Sequence, residues 1–172
     1  MHMHEETYFL NQIAANKGII LKISHSFCRN KADREDLAQE IIFRLWKGLP
    51  RYDPACSFST WMYKVALNVA ISYYRNAKKT VTTIPFTQTL EDMQDQLVAE
   101  ADSPMWLLQK HVAALKELDK ALMLLYFEEK SYREIAEIMG ITETNVATKV
   151  SRIKEKLKQA ILTDKKTAYG RS

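Results

Sequence analysis

Trp61, Lys64, Asn68 and Arg75 fall at i, i+3, i+7 and i+14 of the stretch STWMYKVALNVAISYYRN, residues 59–76. If that stretch is helical, one side of it carries an indole, two cations and an amide. A face that serves only a core has no use for cations. Unpaired DNA uses both kinds of group, since aromatic rings stack on bases and cations follow the backbone, each stacked base contributing about 1–3 kcal/mol. The preceding loop, RYDPACS, is suited to wall a pocket for a flipped base. Extruding a base costs a few kcal/mol, which one or two stacking contacts offset. The bland reading is that the rings fill the core of a small bundle. Tyr63 and Tyr73 are assigned to that core, and spacing alone leaves Trp61 open between the two roles.

A second group of candidates lies in SYREIAEIMGITETNVATKVSRIKEKLK, residues 131–158. Ser131 and Glu134 match the capping-box pattern S-x-x-E, so a helix is predicted to start there. Tyr132, Ile135, Ala136 and Met139 follow at i, i+3, i+4 and i+7. Gly140 ends the helix, and Thr142 or Thr144 caps the next one, whose buried stripe is Val146, Val150, Ile153 and Leu157. Two short amphipathic helices around a glycine turn form a helix-turn-helix. The second helix then exposes Thr144, Asn145, Thr148, Lys149 and Arg152. Short polar groups near its start suit base edges in a major groove, and the cations further along suit phosphates. A plain helical hairpin with a solvated polar face is the alternative.

The elements that must position these residues are helical. Only 4 Gly and 4 Pro among 172 residues argue against a turn-rich β fold. The expected fold is all-α, with two small helical domains joined by a flexible acidic linker and the helix-turn-helix in the second. The predicted bounds are 1–79 for the first domain, 80–104 for the linker and 105–172 for the second domain. In the first, Phe9, Ile13, Ile20, Ile23 and Phe27 give a helical rhythm loosened around Gly18, after a disordered MHMH start. RNKAD is a turn with Asp33 as the cap of the next helix. That helix carries Leu37, Ile41 and Leu45 on one stripe, with Phe43 and Trp46 off it. The opening stretch has a core stripe of Phe58, Met62, Val65, Ala66, Val69 and Tyr73. Period is lost after Lys79, apart from a short helix near 90–98. Pro104 suits the first turn of the next helix, and Leu115, Leu118, Leu122 and Leu125 form a further stripe.

Net charge is +4, a mild pointer to a polyanionic partner, but its distribution is uneven. Residues 81–109 hold Glu91, Asp92, Asp95, Glu100 and Asp102 and no Lys or Arg, whereas the end of the chain from Lys149 is basic. Cys28 and Cys56 lack metal-site or disulfide spacing and are taken as buried or incidental free thiols of a reducing, cytoplasmic protein. No signal-peptide core and no membrane-length apolar run is present, so no membrane insertion is expected.

The whole arrangement resembles a sigma-70 family RNA polymerase sigma factor of the small, two-domain extracytoplasmic-function type. DREDLAQEIIFRLWKGLPRYDPACSFSTWMYKVALNVAISYYRN is similar to that family's second domain, and LKELDKALMLLYFEEKSYREIAEIMGITETNVATKVSRIKEKLK to its fourth. The resemblance implies that Asp36, Gln39, Glu40, Phe43 and Trp46 form the surface that docks on core RNA polymerase. It implies that Tyr52, Phe58, Ser59, Thr60, Trp61, Lys64, Asn68 and Arg75 open the minus-ten element of promoter DNA, with Asn68 at a base-contacting position. It implies that Thr144, Asn145, Thr148, Lys149 and Arg152 read the minus-thirty-five element as duplex. It further implies an acidic linker threaded through polymerase, where a solvated tether is the bland alternative, and an anti-sigma factor as regulatory partner. Asp119 stands where many relatives have proline, and the second helix lacks the Arg-Ala-Arg run that relatives often carry near SRIKEK. Both departures bear on promoter preference.

Two other classes compete. A helical regulator with an operator-binding C-terminal half accounts for the helix-turn-helix but leaves Phe43, Trp46 and the aromatic-cationic helix without a purpose. An enzyme would need a site. Asp33, Asp36 and Glu40 at i, i+3 and i+7 are the one metal-like spacing, and a solvated charged face is far commoner. His2, His4, His25 and His111 are scattered, and neither a phosphate loop nor a nucleophile elbow occurs. The chain is expected to be non-catalytic, with no cofactor and no metal.

Overall fold

The computed structural model describes residues 2–80 and 103–170, and these are all-helical apart from turns. The chain divides into two compact units, Met1–Asp92 and Met93–Ser172. The interior of the expected linker, 81–102, and the short helix expected near 90–98 lie outside the described residues.

The first unit is a three-helix bundle of α1 (His2–Phe27), α2 (Lys31–Gly48) and α3 (Phe58–Thr80), each packed on the other two. The helix α1 already includes His2, Met3 and His4, against the expectation of disorder there, and it continues unbroken past Gly18. Phe9, Ile20, Ile23 and Phe27 bury its inner side. Asn30, not Asp33, caps α2: its side-chain oxygen accepts from the Asp33 amide at 2.7 Å, and its amide nitrogen donates to the Asp33 carboxylate at 2.6 Å. Asp33 sits three residues further on, where a carboxylate reaches back to the cap rather than forming it. Leu37, Ile41 and Leu45 are fully buried, as their spacing predicts.

The buried side of α3 differs from the expected stripe. Phe58, Met62 and Ala66 are inside, but so are Tyr63, Leu67, Ala70 and Ile71, while Val65, Val69 and Tyr73 are only half-buried. The buried residues of α3 thus span a wider arc than the single face a periodic pattern describes. The small side chains of Ala66 and Ala70 lie within that arc. Tyr73 instead reaches the edge of the bundle, where its hydroxyl donates to Asp33 at 3.4 Å.

The second unit comprises α4 (Pro104–Ala113), α5 (Glu117–Phe127), α6 (Tyr132–Met139) and α7 (Glu143–Tyr169). Ser103 caps α4 through the Trp106 amide, with Pro104 in the first turn. The helix α5 contacts α4, α6 and α7 and buries Ala121, Leu122, Met123, Leu124 and Leu125. Leu118, expected inside, is exposed, whereas Leu115, Leu122 and Leu125 of the same expected stripe are buried. The capping box of α6 forms in full, with the Glu134 amide donating to Ser131 and the Ser131 amide donating to Glu134. Those bonds from Ser131 hold the Glu134 carboxyl below its ordinary range. Ile135, Ala136 and Ile138 are buried, whereas Tyr132 is exposed and Met139 half-buried, so the inner side is turned toward Ile138. Gly140 adopts the left-handed conformation, φ 67° and ψ 35°, that closes the helix.

Thr142 is the cap of α7, accepting from the Asn145 amide at 3.1 Å, which puts Thr144 inside the first turn. Val146, Val150, Ile153 and Leu157 are all buried. Beyond them α7 continues to Tyr169, and Asp164 receives Lys110 at 2.9 Å and lies 3.0 Å from the His111 ring. These contacts clasp the far end of α7 to α4.

Candidate nucleic-acid interface

The helix α3 begins from a small hydrogen-bonded knot. The Ser57 hydroxyl accepts from the Thr60 amide at 3.3 Å and donates to the Thr60 hydroxyl at 2.9 Å. Thr60 is thereby buried, and so is Phe58. These two expected contact residues build the site from inside, and Ser59 between them is half-buried.

Around Phe58 the structure assembles an aromatic cluster. Its ring centroid lies 5.5 Å from that of Tyr52 and 5.2 Å from that of Trp61, and Tyr52 and Trp61 are 5.0 Å apart. Tyr52 comes from the loop between α2 and α3, where its hydroxyl donates to the Cys56 carbonyl at 2.6 Å and ties the loop to itself. Burial pushes the Tyr52 phenol pKa up, and Tyr8, Cys56 and Asp53 add to the rise. Gly48 lets the Trp61 ring come close, since a Cβ there would stand 3.1 Å from its Cζ2. Trp61 stands between the two positions that its spacing left open: it packs on Tyr52, Phe58 and Gly48, and it stays half-exposed. Further along the same side, Lys64 is half-buried and Asn68 and Arg75 are exposed. Tyr63 is buried as expected, and Tyr74 packs on Phe27 with Lys78 over its ring.

On α2, Asp36 and Gln39 are exposed, and Glu40 holds Arg44 at 2.6 Å. Phe43 and Trp46 are 48% and 43% exposed. They line a groove of about 400 Å³ together with Phe9, Leu10, Gln39 and Ile42. Spacing on α2 alone does not reveal Ile42, nor the α1 wall supplied by Phe9 and Leu10, although an apolar Leu10 away from the α1 stripe is the available signal. Contiguous exposed apolar surface of this kind marks a site for a protein partner. Asp33 and Glu40, two of the three carboxylates with metal-like spacing, are taken up by Asn30 and Tyr73 and by Arg44.

On α7, Thr144, Asn145, Thr148, Lys149 and Arg152 are all exposed. The buried stripe on the opposite side and the Thr142 cap set their phase. Lys154 points elsewhere, with its Nζ 3.3 Å from the Tyr126 hydroxyl. The geometry presents a helix start rich in short polar groups, followed by cations, as an open surface.

Both halves of the chain have counterparts among known proteins. Residues 13–80 match the family model for sigma-70 region 2, and residues 106–157 match that for sigma-70 region 4. The RNA polymerase sigma factor YlaC of Bacillus subtilis is 32% identical over 130 residues, covering 73% of this chain and 75% of the relative. The ECF RNA polymerase sigma factor SigW of the same organism is 25% identical over 169 residues, covering 91% and 90%. Among solved structures, CnrH in complex with the cytosolic domain of CnrY shares the fold with a TM-score of 0.67 at 18% identity, covering 92% of this chain and 90% of that one. The sigma factor RpoE of Bartonella quintana, in complex with the anti-sigma factor NepR, gives 0.64 at 15% identity, covering 91% and 98%.

Proposed function

The chain belongs to the extracytoplasmic-function group of the sigma-70 family of RNA polymerase sigma factors, and from that premise we propose how its residues share the work of promoter recognition. Residues 1–79 act as the domain that binds core polymerase and the minus-ten element, 80–104 as the linker, and 105–172 as the domain that binds the minus-thirty-five element. The observation that carries this reading is the presence, in one chain, of two exposed surfaces with different DNA chemistry. One is the aromatic and cationic side of α3, suited to unpaired bases. The other is the polar and cationic side of α7, suited to a duplex major groove.

Core polymerase docks on the groove of α1 and α2, with Phe43 and Trp46 as the apolar anchors and Asp36, Gln39 and Glu40 as the polar rim. Tyr52, Trp61, Lys64, Asn68 and Arg75 face the opened strand, Ser59 stands beside them, and Phe58 and Thr60 hold that surface in shape. Thr144, Asn145 and Thr148 meet base edges, and Lys149 and Arg152 meet phosphates. The protein is not an enzyme and works in the cytoplasm, and polymerase supplies the chemistry. The likeness to RpoE, solved with an anti-sigma factor, supports an anti-sigma partner for this chain as well.

Transcription in vitro tests the proposal. The purified chain is mixed with bacterial core RNA polymerase and a library of upstream fragments, and transcript starts are mapped. Discrete starts that share two spaced motifs are expected. Failure to bind an active core, together with tight binding to duplex alone, would assign the chain to operator-binding regulators instead.

A further inference from the structure

One ring at the aromatic cluster belongs to neither matched region. Tyr8 precedes residue 13, where the region 2 match begins, and stands on α1. Its ring meets that of Phe58 edge-on, with centroids 6.2 Å apart and an interplanar angle of 88°. Phe58 is the buried ring on which Tyr52 and Trp61 also rest. Three partly open rings from three separate segments are thus gathered around one closed ring.

Tyr8 is not there to fill the core, because it remains 43% exposed while its neighbour Phe9 is buried and anchors α1 against Trp46 at 5.1 Å. Phe9 holds the helix in place, and that in turn fixes where Tyr8 points. The Tyr8 phenol also lies near enough to Tyr52 to help push up its pKa. A ring carried on a helix and braced by packing is preorganised, so it loses little freedom when a flat ligand settles on it.

We propose that Tyr8 is a further stacking residue of the minus-ten surface, extending the Tyr52–Trp61 aromatic platform so that it takes an additional unpaired base of the opened strand. This inference rests on the reading that the α3 surface holds opened DNA. The ligand class is a single-stranded DNA base, and every base has a face to offer, so the contact adds affinity without demanding one sequence.

The test uses the full chain assembled with core polymerase. The probe is a fluorescent oligodeoxynucleotide carrying the non-template minus-ten strand of a promoter mapped by transcription. Tyr8→Leu keeps an apolar contact with Phe58 but removes the aromatic face, Tyr8→Phe keeps the ring, and Asn68→Ala monitors the underlying reading. Tyr8→Leu is expected to bind the strand roughly five- to 150-fold more weakly, the loss of one stacked base. Tyr8→Phe should bind like the unaltered chain, and the affinity of Tyr8→Leu for core polymerase and its melting temperature should not change. If Asn68→Ala loses the strand and Tyr8→Leu does not, the inference is overturned and the reading of α3 stands. If neither loses it, both fall together. If Tyr8→Leu lowers core affinity or the melting temperature along with strand binding, Tyr8 is a structural support and the inference is overturned.

Discussion

Arg152 offers a quantitative test of the proposed duplex-reading surface. Arg152 and Lys149 lie three residues apart on the exposed side of α7, and neither joins an ion pair among the described residues. Each is therefore available to one phosphate. Neutralising a phosphate of B-form DNA releases counterions and adds about −0.9 to the slope of log affinity against log salt. Arg152→Ala should make that slope shallower by about 0.9, and the double change Lys149→Ala with Arg152→Ala by about 1.8. Between about 50 and 200 mM salt, each lost contact removes about a three- to fourfold share of the salt-induced weakening. Lys154 is the internal comparison. Its Nζ is engaged with the Tyr126 hydroxyl at 3.3 Å and sits 5.4 Å from that ring's centroid, so Lys154→Ala should change the slope least. The assay is equilibrium binding of the reconstituted polymerase to a duplex carrying the upstream element at several salt concentrations. An unchanged slope for Arg152→Ala refutes the phosphate contact. An equal change for Lys154→Ala refutes the argument from the exposed face, because overall charge would then be the cause. Thr148→Ala should leave the slope alone and weaken discrimination among upstream sequences.

Other perturbations test how the surfaces are held. Gly140 has φ 67°, and no neighbouring heavy atom lies within 4 Å of where a methyl group would stand, so Gly140→Ala meets backbone cost alone. It should destabilise the second unit by about 1–2 kcal/mol, and an unchanged calorimetric transition would show that the turn re-forms with φ negative. Gly48→Val should push the Trp61 ring aside by more than the few tenths of an ångström that a bare Cβ at 3.1 Å requires. An altered indole emission with impaired promoter opening but unchanged upstream-duplex binding is expected, and an unaltered emission would contradict the close approach. The Tyr73 phenol is pushed up to about 12, first by burial and then by the charge of Asp33. A raised value means the stabilisation is intact below pH 10 and is lost as pH climbs from there toward 12. Ultraviolet titration should show late-ionising phenols, Tyr52 among them, and one fewer of these in Tyr73→Phe; a full complement of ordinary phenols in the parent chain would count against the Asp33 contact.

How much is legible in the sequence depends on whether one helix alone decides a residue's surroundings. Leu37, Ile41 and Leu45 on α2, and Val146, Val150, Ile153 and Leu157 on α7, are all buried as their spacing predicts. Both helices bury a single stripe. The phase of the exposed polar residues on α7 follows from the same stripe and from the Thr142 cap, so the outward placement of Asn145, Thr148, Lys149 and Arg152 is legible without a fold. The stripe of α3 is not, because its buried arc also takes in Tyr63, Leu67, Ala70 and Ile71, which lie off the face that its period describes. Asn30 escapes notice as a cap because an acid three residues later is an equally good local signal, and only the extended backbone at Asn30 decides between them. Trp46 and Trp61 show the limit most plainly. Each stands apart from the stripe expected for its own helix, and helical period treats them alike. What separates them comes mostly from other elements: Tyr52 and the missing side chain of Gly48 join Phe58 in bracing Trp61, whereas Trp46 is braced on one side by Phe9 and left open along the groove. The proposed platform for an unpaired base and the proposed anchor for a protein partner thus begin as the same signal, an aromatic residue out of phase. The residues that tell them apart are those of the neighbouring helix and loop.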